Sequence, residues 1–220
     1  MDHALFFLFS FVEFAASLTL ILSIFLFHFR GYRSHILFSA FMLTQTSYLF
    51  RIGIDLGGVS LLLQLLLIIL LLRLMFQIQT FYAALMGGIG FIIFSLLQTF
   101  IAFITAALTP LTIDQILNNS PVYIGYIVQA LTASISFLLS WFFSRNRIGF
   151  SFIPDSDKVK VRLTTENVTF LLLVSIAIIT MVAIYYVFFD SISFYTLLIF
   201  ILVQVAILVH LAIRKEKRYD

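Results

Sequence analysis

Apolar runs of about 20 residues alternate with short polar interruptions along almost the whole chain. A membrane-crossing helix needs about 20 mostly apolar residues. On that measure the pattern predicts seven spans, at about 4–28, 35–54, 58–77, 81–108, 122–143, 167–188 and 192–213. Each must be helical, because backbone groups in hydrocarbon have no water to bond. Asp55-Leu56-Gly57-Gly58, a turn composition, divides the second span from the third. Only Gln77-Ile78-Gln79-Thr80 divides the third from the fourth, so that boundary carries the weakest signal. The expected fold is an all-α polytopic membrane helix bundle, one transmembrane domain over residues 1–220.

The polar interruptions differ in charge. Arg30 and Arg33 follow the first span; Arg145, Arg147, Lys158, Lys160 and Arg162 follow the fifth; Arg214, Lys215, Lys217 and Arg218 follow the seventh. The connections after spans two, four and six carry Asp55, Asp114 and Asp190 instead. Basic connections face the cytoplasm in membrane proteins. Seven spans with the N-terminus outside and the C-terminus cytoplasmic satisfy that rule for every basic cluster. Arg51, near the outer end of span two, is the exception. Arg73 interrupts LLLQLLLIILLLRLMFQ, residues 61–77, about 6 Å from the predicted inner end of span three. From there its side chain reaches the phosphate layer by snorkelling, as an orientation anchor.

Composition agrees with this picture. The chain is 62% hydrophobic and 10% charged, against about 25% charged in soluble domains. With no cysteine, disulfides, thiolate metal sites and a cysteine nucleophile are excluded. The net charge of +3 sits between apolar runs, which argues for orientation signals and against nucleic acid. The start, MDHALFF, is acidic where a cleaved signal needs a basic region, so a retained first span is expected.

Ionisable residues inside membrane spans are candidate functional sites. Glu13 lies about 22 Å up span one from its inner end, and Arg51 about 24 Å up span two. The two are expected to pair, with Asp55 as a rival partner, either locking two helices or forming part of a site. Gln64, Gln98 and Gln129 fall in the same outer half of the bundle, about 9, 15 and 10 Å below their outer ends. With Tyr123 and Tyr126 they suggest a polar cavity open to the outside. The candidate ligand-binding residues are therefore Glu13, Arg51, Gln64, Gln98, Tyr126 and Gln129. For any one glutamine an interhelical hydrogen bond is the simpler role; their shared outer location is what suggests the cavity. Gly87, Gly88 and Gly90 in span four predict close helix packing.

Catalytic signatures are missing. There is no GxSG, no HExxH and no histidine pair with metal-site spacing, and Glu13, Glu166 and Glu216 are the only glutamates. No enzyme, cofactor or metal is expected. Outside the spans, KVKVRL at 158–163 suits an anionic lipid surface or a plain orientation role. LTPLTIDQILNNSP at 108–121 has the spacing of a helix over the cavity mouth.

Two function classes remain. A transporter, or the membrane subunit of a small-molecule importer, is suggested by the repeated charge order of spans one to three and five to seven. Against it, the three prolines (Pro110, Pro121 and Pro154) all lie in connections, so no span carries a proline hinge. The other class is a receptor-like module. Span number, outside-first order, the outer connection near LTIDQILNNSP, the basic connection before the last two spans and RKEKR at the exit carry a resemblance. Together they resemble the membrane sensor region of the Agr-type, peptide-responsive histidine kinases of Firmicutes, over essentially all of 4–213. In that family the last span leads to a dimerising helix and a kinase. Here no phosphoacceptor box or nucleotide-binding glycines are present. The resemblance therefore implies a bacterial inner-membrane sensor whose output passes through a partner. The expected partners are the lipid bilayer and a signalling kinase or other membrane protein, with a second copy of the chain a further candidate.

Overall fold

The computed structural model describes residues 3–27, 29–50, 59–109 and 122–151, together with helical positions between 168 and 213. Five long helices account for most of them: α1 (His3–Ile24), α2 (Arg33–Tyr48), α3 (Val59–Phe76), α4 (Thr80–Leu108) and α5 (Val122–Asn146). A 3-10 turn, Phe29–Tyr32, leads into α2. No strand occurs among the described residues. Spans six and seven, the stretch 110–121, KVKVRL and Arg51 lie outside what is described, apart from the isolated helical positions.

Among the described residues, three helices are long and apolar enough to cross a membrane: His3–Ile24, Thr80–Leu108 and Tyr123–Asn146. The shorter apolar helix Ser60–Phe76 packs against Thr80–Leu108 and against α2. Many of the helix hydroxyl groups are satisfied without water, although Ser39 and Ser136 are buried without a partner. Thr19 donates to the Ala15 carbonyl at 2.6 Å, Thr44 to Ala40 at 2.8 Å and Thr132 to Val128 at 2.7 Å. Each bond returns to the preceding turn of the same helix, which suits an apolar solvent. The outer surface is apolar as well. Leu66, Leu70 and Leu74 form an exposed stripe on α3, and Ile127, Leu131 and Leu138 one on α5. Such stripes are a liability in water and the norm against lipid tails.

α1 is the central helix, packing against α2, α4 and α5. The pairs α2–α3, α3–α4 and α4–α5 complete the arrangement. α1 and α2 are antiparallel. Tyr48 donates to or accepts from His3 Nδ1 at 3.1 Å at one end, and Phe27 meets Tyr32 at 5.4 Å between ring centres at the other. α1 and α5 run parallel: Phe9 stacks on Tyr126 near their starts, and the Phe150 N–H donates to the Ile24 carbonyl at 2.8 Å near their ends.

The odd-numbered helices close with a left-handed residue that is not glycine: Leu26 (φ 50), Gln77 (φ 54) and Arg147 (φ 52). After α1, Leu26 N–H bonds Ser23 O and Phe27 N–H bonds Leu22 O at 2.9 Å, a Schellman pair. After α5, Ile148 N–H bonds Phe143 O at 3.1 Å. The left-handed conformation costs a non-glycine residue about 1–2 kcal/mol. It stops α3 at the third–fourth boundary, where the sequence signal is weakest. Arg73, three residues before the end of α3, is exposed and donates to the Thr80 hydroxyl across this turn.

The glycines of α4 each admit a different neighbour. A Cβ on Gly87 would lie 2.9 Å from Ile69 of α3. One on Gly88 would collide with Val174, and one on Gly90 with Ile21 of α1. The expected packing role holds at all three positions.

Candidate functional site

A polar cavity of about 60 Å³ lies between α1, α2, α3 and α4. Each helix turns one face toward it. α1 contributes Ser10, Glu13 and Ser17 at spacings of three and four; α2 contributes Ser47; α3 contributes Gln64; α4 contributes Ser95 and Gln98. These spacings keep side chains on one helix face. Phe14, Ile21, Leu61, Ile68, Phe91 and Phe94 complete the lining.

The Gln98 Nε2 group donates to Glu13 Oε1 at 2.9 Å, joining α4 to α1. A hydrogen bond to a carboxylate is charge-assisted, about twice as strong as a neutral one. Both residues are half-buried. Gln64 differs. It is 3% exposed, and its Nε2 is buried without a hydrogen-bond partner. Thr19, Thr44, Thr132 and Ser140 bond back to their own helices, but a glutamine amide extends too far to do so. An orphaned amide therefore demands a partner from elsewhere, and leaving it unmet costs about 1–3 kcal/mol. The cavity has space for a few waters or one polar functional group. Its walls offer a carboxylate that accepts and an amide that donates. A group able to do both fits this arrangement, such as a hydroxyl or a primary amide.

Of the residues expected to line a shared cavity, Glu13, Gln64 and Gln98 meet in it. Tyr126 and Gln129 are not among its lining residues. They sit on α5, where the Tyr126 ring stacks on Phe9 at 5.0 Å with a 14° tilt. Phe9 is about 40° around α1 from Glu13 and one turn along it, so it faces α5 while Glu13 reaches α4. The Tyr126 hydroxyl and Gln129 Oε1 are themselves buried without a partner. They lie on α5, outside the lining of this cavity. Tyr123 is exposed. Arg51, and with it the expected Glu13–Arg51 pair, lies outside the described residues.

Ser10, Ser17, Ser47 and Ser95 line the cavity without having been singled out from the sequence. Ser17 donates to the Phe14 carbonyl at 3.3 Å. Serines are frequent in membrane helices and are readily satisfied locally, so composition gives them no weight. The spacing Ser10–Glu13–Ser17, one helix face around the half-buried acid, is the signal that could have marked two of them.

Among the described residues no group of histidine and acidic side chains could hold a metal ion. Fold and site together define an all-helical bundle of membrane-type helices around an internal polar cavity. No protein-family model matches this chain, and no curated protein or solved structure matches it either.

Proposed function

We propose that this chain is a multi-pass plasma-membrane sensor with seven crossings, its N-terminus outside and its C-terminus in the cytoplasm. The cavity between α1 and α4 receives a polar group of an extracellular ligand. One observation carries the reading: the Gln98–Glu13 hydrogen bond stands in the same cavity as the orphaned amide of Gln64. A bundle built only for stability would gain by filling that space with leucine. The orientation is supported by the clustering of Arg33, Arg73, Arg145 and Arg147 at the end where α1, α3 and α5 terminate. The Agr-type resemblance makes the ligand a peptide. The cavity volume then admits one polar group of it, not the whole molecule. Output passes through a signalling kinase or another membrane partner.

The absence of cysteine gives a clean background for labelling. Single Ser47→Cys and Gln64→Cys variants are treated in intact cells with a membrane-impermeant thiol reagent. Labelling from outside is the expected result; labelling only after the inner face is exposed refutes the reading. Purification of the full chain from its native membrane separates the two function classes. A co-purifying kinase favours the sensor, and a co-purifying ATPase subunit favours an importer.

A further inference from the structure

A second cavity lies at the opposite end of the molecule, and the polar site just described does not involve it. The C-terminal ends of α1 and α5 stand side by side around a crevice of about 300 Å³. Ser23, Leu26 and Phe27 line it from α1, and Ser144 and Arg147 from α5. We propose that this crevice is a binding site for the phosphate head group of an anionic lipid, with Arg147 as its cation.

Four observations support the assignment. First, the crevice is built into the fold. Behind it the Phe150 N–H donates to the Ile24 carbonyl at 2.8 Å, and the Phe150 ring packs on Phe25 at 5.8 Å. Gly149 lies so close to the Ile24 carbonyl that a Cβ would collide with it. The end of α5 is thereby tied to the end of α1, and the walls are held in register.

Second, Arg147 occupies a left-handed position (φ 52) at the close of α5, where glycine is the favoured residue. The Ile148–Phe143 and Phe150–Ile24 hydrogen bonds flank it and hold it there. A strained conformation that its surroundings impose points toward function. Here it places a guanidinium, five donors in a planar fork that matches phosphate, on the wall of a crevice.

Third, the chemistry is amphipathic. Arg147 and the Ser144 hydroxyl supply the polar part, and Leu26 and Phe27 the apolar part. A soluble phosphate has no use for the apolar wall, and a neutral lipid has no use for the arginine. Basic pockets between membrane helices are where anionic head groups are held.

Fourth, the opposing field is weaker than the attracting one. The helix ends present about half a negative charge each, which disfavours an anion. The Schellman bonds and the Phe150 N–H already occupy several of those carbonyls. The full positive charge of Arg147 stands against two partly capped half-charges.

The test uses the full chain in nanodiscs made either of phosphatidylcholine with a minor fraction of phosphatidylglycerol, or of phosphatidylcholine alone. Lipid retained after extraction into detergent is counted by native mass spectrometry. Wild-type protein is expected to retain phosphatidylglycerol selectively. The Arg147→Gly variant removes the guanidinium and relieves the backbone, so it folds at least as well. It should retain about fivefold less phosphatidylglycerol, the effect of one basic group near an anionic surface. Arg73→Gln removes a cation outside the crevice and should leave retention unchanged. Inorganic phosphate added during extraction should not displace the lipid. Equal retention by wild type and Arg147→Gly overturns the proposal. So does an equal loss in Arg73→Gln, which would mean that general surface charge is responsible. Displacement by phosphate at millimolar concentration would identify a free-phosphate site and overturn the lipid assignment.

Discussion

Replacing Gly90 by alanine forces a methyl group into the contact between α4 and α1. An ideal Cβ at this position collides with Ile21 Cγ1 and stands 3.1 Å from both Cβ and Cδ1 of the same residue. Ile21 is fully buried. A change of χ1 moves Cγ1 but leaves Cβ, fixed to the backbone, at 3.1 Å, so the helices must separate by a few tenths of an ångström. Overpacking of this kind costs about 1–3 kcal/mol. The better helix propensity of alanine offsets about 1 kcal/mol of it. A net destabilisation of about 1–2 kcal/mol is therefore expected. The assay is reversible unfolding of the purified chain in mixed micelles with increasing dodecyl sulfate, followed by circular dichroism. Ile21→Ala alone should cost about 2–5 kcal/mol. Combined with Gly90→Ala it should cost less than the sum, by about 1–2 kcal/mol, because the new methyl occupies space that the isoleucine has vacated. Gly31→Ala is the control. Nothing lies within 4 Å of its Cβ, and stability should change by no more than about 0.5 kcal/mol. If Gly90→Ala stabilises the protein, or the two substitutions add without coupling, the close approach of α1 and α4 is wrong.

Other substitutions probe the cavity and the helix ends. Gln64→Leu removes a buried orphan donor and should raise stability by about 1 kcal/mol in the same unfolding assay, while abolishing any ligand response. A loss of stability would mean that the amide has a partner. Gln98→Leu removes the donor to Glu13 and should cost about 1–2 kcal/mol. Glu13→Gln keeps an acceptor at the same place and should cost less, so the order of the two melting temperatures checks the geometry. Gln77→Gly relieves a left-handed residue on an exposed turn and should stabilise by about 1 kcal/mol. Equal or lower stability would show that the turn after α3 is not left-handed.

The helices themselves were legible in the amino-acid order because lipid thickness converts apolar length directly into element length. Predicted spans 4–28, 81–108 and 122–143 correspond to α1, α4 and α5, within a few residues except at the C-terminal end of α1. The early stop of α1 at Ile24 was not legible. It depends on the left-handed turn at Leu26, a residue that ordinarily continues a helix. The glycines of α4 announced close packing, but not that Gly87, Gly88 and Gly90 would serve three different neighbours.

The candidate site divides in the same way. Its depth was determined by the sequence alone, since counting 1.5 Å per residue from the ends of the spans puts Glu13, Gln64, Gln98 and Gln129 in one half of the bundle. Which of them share a cavity was decided only in three dimensions. Depth is a property of a single helix; the lateral order of helices is a property of all of them together. A rotation of about 40° between Phe9 and Glu13 sends one side chain to α5 and the other to α4. Hydropathy, which measures how apolar a stretch is and not which neighbour it meets, carries no record of that choice.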